Sequence, residues 1–500
     1  MTADLGTARH DVDAALDVAP TATAMPVARP VPWLLLAGIV ALIVPLRAAV
    51  GPIRDIDSYW HLLVGGDILA GSPVTSAGRG WSFAPVADTW VSTQWLAELV
   101  FAKLEQWGGL ESLIVVRVVM VVASLGVLAA VTLVRRPVRA GIVMFAIGSL
   151  TLSITVQERS QQLTFLLAPL VGWWMERLWR EGRLPRWWVV LPLVVVWANV
   201  HGGWVILPIG LTIAALARVV DHGWRDRCAY QSLALAAATV VAACVSPSGF
   251  DNALAARRFS SATAQIIEWR PVTFWDTAAV PLAALVLVVL IAWGRGRARP
   301  TRGEIVLVVV TLAFATFAWR NLTPAVLMLC PLLTGTLARA LGEPDPTRER
   351  SPLARTALGM AAVGALLGVV LAVGQSPVVD PAVPSGLIAK VAQSSSSQRV
   401  LNTYNVSGPL LWFGGGPGHV SVAVDGRADR YGGDYLSRYT DMVAAREGWQ
   451  SMLDSLAPTA ALLRRDEALS GVLVAERGWV VVGREGDYVL LHAPNATGWS

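Results

Sequence analysis

The sequence predicts an α-helical multi-pass membrane bundle of about 11 transmembrane helices, followed by a small α/β domain outside the membrane. Three observations carry this. Eleven apolar stretches fill residues 31–374, arginines crowd every second link between them, and beyond Gln375 the pattern changes to short strand-like runs. Hydrophobic residues make up 54% of the 500 and charged residues only 15%, with a mean hydropathy of +0.54. A soluble chain would carry about 25% charged residues. Runs of roughly 18 apolar residues are long enough to cross a hydrocarbon core of ~30 Å. The net charge of +5 does not point to nucleic acid, because the arginines lie beside apolar stretches and are not interleaved with aromatics for base stacking.

Spans are expected near 31–49, 111–134, 140–156, 163–180, 187–200, 203–220, 228–246, 277–293, 304–319, 321–340 and 355–374. The basic links are Arg135-Arg136-Pro137-Val138-Arg139, then Arg177, Arg180, Arg183 and Arg186, then Arg225 and Arg227. Arg295, Arg297, Arg299 and Arg302 follow, and finally Arg348, Arg350 and Arg355. The positive-inside rule places all five in the cytoplasm, which puts the N-terminus inside and the C-terminal region outside, in a plasma membrane. Trp33, Trp187, Trp188, Trp204, Trp293 and Trp319 lie at span ends, as an interfacial belt requires. Residues 1–30 read as a disordered cytoplasmic tail with no short signal peptide before a retained first span. Lys103 and Lys390 are the only lysines, which suggests GC-rich codons and a bacterial source. Cys228, Cys244 and Cys330 have neither metal nor disulfide spacing.

Two outward segments are long. Residues 50–110 contain amphipathic patterns at 57–70 and 92–107, and residues 247–276 form the second; re-entrant or interfacial helices are expected in both. The extracytoplasmic domain, 376–500, has strand-like runs at Val420–Val424, Ala460–Leu463, Trp479–Val482 and Tyr488–His492. Helical patterns at 434–456 and 466–477 alternate with them, and Ser394–Ser397 reads as a mobile loop.

The polar residues sort to the outer side. Asp55 and Asp57 follow the first span, and a helix beginning near Asp57 would set His61 one turn above it. Asp57 could equally be a helix cap and Asp55 a solvated loop charge. Glu158 and Arg159 end the third span, where a snorkelling interfacial pair is the plain reading. Asn199 and His201 adjoin the Gly202-Gly203 break, where a structural hydrogen-bonding histidine is the commoner case. Glu268 and Arg270 lie in the second outward loop. Arg270 could bind an anionic lipid phosphate in a forked way or simply be solvated, with Arg257 and Arg258 upstream. Arg320-Asn321 occupies a link with almost no loop, and an arginine pinned there needs an anion or carbonyls around it. In the outer domain Asp425 and Arg427 follow a strand and read as a structural ion pair or as substrate-positioning groups. Gly414-Gly415-Gly416-Pro417-Gly418 lacks the GK[ST] ending of a phosphate loop.

The ordered set Asp55-Ile56-Asp57-Ser58-Tyr59-Trp60-His61-Leu62, Gln94-Trp95-Leu96-Ala97-Glu98, Trp197-Ala198-Asn199-Val200-His201-Gly202-Gly203, Glu268-Trp269, Arg320-Asn321 and Val424-Asp425-Gly426-Arg427 resembles bacterial multi-pass members of the GT-C superfamily. These are glycosyltransferases that use polyprenyl-phosphate-linked sugars. The resemblance spans residues 31–500. It implies an acidic residue in the first outward loop, Asp55 or Asp57, as base or metal-assisted activator. The chain departs from an adjacent acidic pair because Ile56 intervenes, Ser160 replaces a proline after Arg159, and Ser246-Pro247-Ser248-Gly249 stands for an Asn-Pro-Gly motif. The expected reaction moves a sugar from a polyprenyl-phosphate donor to a cell-envelope glycan, lipid or protein acceptor. Arg320, with Arg159 or Arg270, would meet the phosphate, and His61, His201, Asn199, Asn321 and Glu268 would bind substrate. Asp55 and Asp57 could together hold a divalent ion, Mg or Mn. The competing readings are a transporter or flippase of lipid-linked intermediates and a non-catalytic membrane scaffold.

Overall fold

A computed structural model describes residues 31–86, 90–134, 136–253, 267–273, 275–295, 299–343, 352–373 and 378–499. The tail 1–30, most of the second outward loop with Arg257 and Arg258, and Arg135, Arg297, Arg348 and Arg350 lie outside the described residues.

Every one of the expected apolar stretches is a helix. These are α1 (Val31–Ala49), α4 (Glu111–Thr132), α5 (Val138–Thr155), α6 (Gln162–Glu181), α7 (Trp187–Val200), α8 (Ile206–His222), α9 (Arg227–Ala243), α10 (Val280–Gly294), α11 (Arg302–Phe317), α12 (Leu322–Leu341) and α13 (Pro352–Val373). Among the described residues six segments are long and apolar enough to cross a membrane: Glu111–Thr132, Val138–Thr155, Gly202–His222, Thr277–Gly294, Trp319–Leu341 and Ala354–Leu371. The chain is a multi-pass membrane protein. The gap between six and eleven is one of length and charge. α9 and α11 have only 17 and 16 residues, and α6 carries Glu176, Arg177, Arg180 and Glu181 in its last turns.

α12 is the centre of the bundle, buried on nearly every face and packed against α5, α6, α10 and α11. Close approach to α6 depends on Gly172, where a Cβ would run into the Met328 backbone of α12. Leu35, Ile39, Ile43, Leu366 and Val370 face outward instead, as lipid-facing side chains do. At one end of the bundle Arg136 pairs with Glu176, Arg218 with Asp226 and Arg339 with Glu304.

At the other end, α2 (Ser58–Leu69) and α3 (Trp95–Gly108) match the expected amphipathic segments and pack on each other. α2 is not a helix lying on the membrane. Ser58, Tyr59, Trp60, His61, Leu62 and Val64 are all buried, because the outer domain closes over it. That domain contains α14 (Ser385–Ala392), β1 (Gln398–Asn402), α15 (Ser407–Phe413), β2 (Val420–Val422), α16 (Ala428–Val443), α17 (Trp449–Leu456), β3 (Ala460–Arg464), α18 (Ala468–Arg477), β4 (Val480–Glu485) and β5 (Tyr488–His492). The sheet order is β2-β1-β3-β5-β4, with β1 parallel to β2 and β3 and the β4–β5 hairpin antiparallel.

Two readings are corrected. The single helix expected over 434–456 is broken into α16 and α17 at positive-φ residues Ala445 and Gly448. Ser394–Ser397 is a pinned turn: Ser394 Oγ donates to Val391 O at 2.8 Å, and Ser396 Oγ donates to Thr497 O at 2.8 Å. The domain is tied down through the first outward loop, whose Ile53 bridges Val379 and whose Ser82 bridges Val422 at the edge of β2.

Gly172→Val is expected to cost ~1–3 kcal/mol through overpacking of α6 against α12. Gly359→Ala, where an added Cβ meets nothing within 4 Å, should be near neutral. Thermal unfolding in detergent checks the pair.

Candidate active site

The loop joining α5 to α6 supplies Glu158 and Arg159, which turn in different directions and do not form the snorkelling pair expected of them. Glu158 points down to the buried Arg117 of α4 and accepts the backbone N–H groups of Arg54 (3.1 Å) and Asp55 (3.3 Å). This fixes the chain just before α2. Arg159 turns up and meets three carboxylates at once. It donates to both oxygens of Asp55 (Nη2–Oδ1 2.9 Å), to Asp57 Oδ2, and through Nη1 to Glu268 Oε1 at 2.7 Å.

The two aspartates separate here. Asp55 is 3% exposed, and its Oδ1 also accepts the Asp57 N–H at 3.1 Å; it does not line the cavity above. Asp57 holds the N-cap position of α2 without a capping side-chain bond, and its carboxylate, 20% exposed, opens onto the cavity. Loss of water raises its pKa above the usual carboxylate value, against the pull of Arg159.

The cavity holds about 690 Å³ and lies between the bundle end, α2 and the outer domain. Its walls include Asp57, His61, Trp90, Gln94, Arg159, His201, Glu268, Trp269, Arg270, Arg320, Tyr404 and Arg427. Segments far apart in sequence thus reach one hollow. The 267–273 stretch is held there by backbone bonds from Trp319 N to Arg270 O (2.9 Å) and from Val272 N to Thr316 O (3.3 Å). Gly426 lets the outer domain close, since a Cβ there would collide with Trp60 and come within 2.8 Å of Asp57 Oδ1.

The three expected cations fare differently. Arg159 is committed to carboxylates. Arg270 is clamped by Asp276 (Nη1–Oδ2 3.1 Å), which raises the pKa of Arg270 and lowers that of Asp276. Arg320 stacks with its Cζ 4.7 Å from the Trp269 ring centre and makes no side-chain hydrogen bond or ion pair among the described residues. Stacking fixes a guanidinium while leaving its N–H donors available. An arginine side chain stays charged even when buried.

His201 sits where α7 ends. Its Nδ1 accepts the Gly203 N–H at 2.9 Å and lies 2.8 Å from Thr164 Oγ1. Burial first, then the nearby cations, push its pKa down to about 3, so it is neutral. His61 Nδ1 lies 2.8 Å from Glu98 Oε1. Asn199, Asn321 and Asp425 do not line the cavity. Asn199 accepts from Trp95 Nε1 (2.7 Å) and donates to Val245 O (2.8 Å), and Asn321 donates to Phe314 O (3.2 Å). Asp425 is fully buried against Arg427, whose Nη1 donates to Gly78 O at 2.7 Å, so this pair is structural.

The Asp55–Asp57 pair does not fit a divalent ion. Arg159 already occupies their shared side, and among the described residues no three His, Cys, Asp or Glu side chains group as ligands. Sequence reasoning missed Glu98, Thr164, Trp90 and Tyr404 as parts of the site. Glu98 gave one signal, a carboxylate on the apolar face of a helix.

No protein-family profile matches the chain, and no curated protein matches it in sequence. In structure it is similar to apo ArnT from Cupriavidus metallidurans, with a TM-score of 0.50 and 15% identity over 92% of this chain and 98% of that one. The chain has the GT-C fold. ArnT from the same organism bound to undecaprenyl phosphate gives a TM-score of 0.48 at 15% identity, covering 93% and 99% of the two chains. The Archaeoglobus fulgidus oligosaccharyltransferase complex with Zn and sulfate gives 0.49 at 9% identity, covering 92% and 73%. Asp57 and Arg320 both line the cavity, and Arg320 makes no side-chain hydrogen bond or ion pair among the described residues.

Arg159→Met strands Asp55 and Asp57 without their counter-charge, and a loss of about 3–5 kcal/mol is expected. Arg159→Lys should recover only part of it, because an ammonium cannot fork to three carboxylates. Thermal unfolding of both variants beside the wild type decides this.

Proposed function

We propose that the chain is a membrane glycosyltransferase that moves a sugar from a polyprenyl-phosphate donor to an acceptor in the cavity, on the extracytoplasmic side. The observation that carries this reading is the pairing of opposites in one cavity: an oriented, water-poor Asp57 carboxylate and an Arg320 guanidinium with no hydrogen-bond partner among the described residues. The GT-C fold and the motif resemblance support it. The arginine-rich links support the sidedness.

The acceptor hydroxyl attacks the anomeric carbon with inversion. Its proton passes to Asp57, a new C–O bond forms, and the bond from the anomeric carbon to the phosphate oxygen breaks. The electron pair leaves with the phosphate, whose growing charge meets Arg320. Arg159 holds Asp57 in place and keeps it from drifting toward the neutral acid. Glu268, through Arg159, ties the second outward loop to the same point. Asp55 acts as a positioning group, and Arg270 shapes the rim with Asp276.

Asp57→Asn should lower transfer by roughly 10²–10⁴-fold, the range for a general base. Arg320→Ala should lower it by roughly 10²–10³-fold, as for a lost oxyanion donor. Both are read in membranes with labelled polyprenyl-phosphate sugar; full activity in either variant removes that residue's role.

The pH dependence has a definite sign. Asp57 must be ionised to accept a proton, and its pKa is raised in the fold. The acid limb of kcat/KM should therefore fall off above the ~3.9 of a free aspartate. A limb at or below that value contradicts the assignment.

A further inference from the structure

The cavity presents two histidines, and the structure holds them in opposite ways. His201 Nδ1 accepts a backbone N–H from Gly203 at 2.9 Å. A backbone N–H can only donate, so Nδ1 carries no proton and the ring proton is on Nε2. Thr164 Oγ1, 2.8 Å from the same Nδ1, receives Trp197 Nε1–H at 3.0 Å and turns its own hydrogen to the imidazole. Gly203 is required for this contact, since a Cβ there would press on both Thr164 and His201 Nδ1.

His61 is set the other way. Its Nδ1 faces Glu98 Oε1 at 2.8 Å. A carboxylate accepts, and an Nδ1–H donating to a carboxylate is the common way that protein fixes an imidazole tautomer. The His61 ring also lies against Trp60, with ring centres 3.7 Å apart and the planes tilted by 32°. Glu98 is 1% exposed and outside the cavity wall, so its effect on a ligand passes only through His61. Both histidines line the cavity, and neither Nε2 has a partner among the described residues.

We infer that His61 and His201 form a hydroxyl-reading pair, with His61 Nε2 accepting and His201 Nε2–H donating, for the ring hydroxyls of a sugar. A hydroxyl is the group that both gives and takes a hydrogen bond, and a ring with several of them can satisfy both imidazoles together. A phosphate, all acceptor, could use His201 but would be repelled by the lone pair on His61. The inference rests on the transferase reading for its ligand. It assigns Glu98 as a positioning residue whose role is to set the polarity of His61.

The test uses the full-length protein in nanodiscs, labelled with 15N at histidine. NMR should show His61 protonated at Nδ1 and His201 protonated at Nε2. The sample is then titrated with undecaprenyl phosphate and, separately, with undecaprenyl-phosphate-linked glucose, galactose, mannose and arabinose. At least one glycolipid should move both Nε2 resonances, while the sugar-free lipid should leave that of His61 in place. Either tautomer reversed, an equal response to the sugar-free lipid, or no response to any glycolipid overturns the pair. Glycolipid shifts without any sugar transfer would overturn the transferase reading and leave the pair standing.

Glu98→Leu separates polarity from packing. It removes the acceptor for Nδ1–H and keeps a side chain of similar size, so the ring proton moves to Nε2. The expected result is a reversed His61 tautomer, an unchanged His201, and about a tenfold loss in glycolipid affinity, the size of one misdirected hydrogen bond. A Glu98→Leu protein that keeps the His61 tautomer and the affinity sinks the assignment. If that variant does not fold, His201→Phe, which removes the donor and keeps a ring, should cost a similar factor in affinity, and an unchanged affinity overturns the pair.

Discussion

A single guanidinium organises the outer end of this bundle. Asp55, Asp57 and Glu268 come from two separate outward loops, and without Arg159 their charges would repel in a water-poor pocket. Arg159 can do this because the residue before it is anchored. Glu158, locked onto Arg117 and onto the backbone leading into α2, fixes the direction in which Arg159 leaves the chain. Two adjacent residues of opposite sign thus hold two layers, one facing into the bundle and one facing the cavity. The arrangement has a consequence for the proposed chemistry. As Asp57 takes a proton its negative charge is lost, while the departing phosphate gains one. The net charge of the pocket stays constant through the step, so a fixed set of two arginines serves both ends of the reaction.

Much of the frame was legible in the sequence, because a bilayer leaves few options. Apolar length and the arginine bias place helices with little help from tertiary contacts, and all eleven stretches are helical where expected. The first outward loop was also readable, since α2 and α3 carry helical periodicity. The break at Ala445 and Gly448 was less so, because an alanine at positive φ gives no warning in sequence. β1 was missed for a similar reason: Gln398–Asn402 alternates poorly and becomes a strand only because β2 and β3 flank it.

The site was legible as a list and not as an arrangement. Asp57, His201, Glu268 and Arg320 are on one side and meet in one cavity, as their common sidedness suggested. Which of them remain available to a ligand depended on partners that no local pattern reveals. Arg270 and Arg320 look alike in sequence, but Asp276 engages the first while Trp269 supports the second without consuming its donors. Asn199 and Asn321, plausible ligand contacts by position, are spent on tryptophan and backbone groups that shape the helix ends.

The outer domain is part of the site and not a neighbour to it. Gly408 packs against the Ile56 carbonyl and Gly426 against Trp60 and Asp57, so the domain reaches the helix that carries the proposed base at two points where only a hydrogen fits. Tyr404, from the same domain, forms cavity wall at 37% exposure and stays a neutral phenol, because partial loss of water, and then Asp57 and Asp425, raise its pKa above the usual value. A neutral phenol is a donor for a hydroxyl or phosphate oxygen and does not compete for the proton that Asp57 takes in the proposed step. The outer domain thus covers Asp57 and sets a donor in the cavity wall. That burial raises the Asp57 pKa, as the proposed base requires, and the same groups spread over an open membrane surface would not serve.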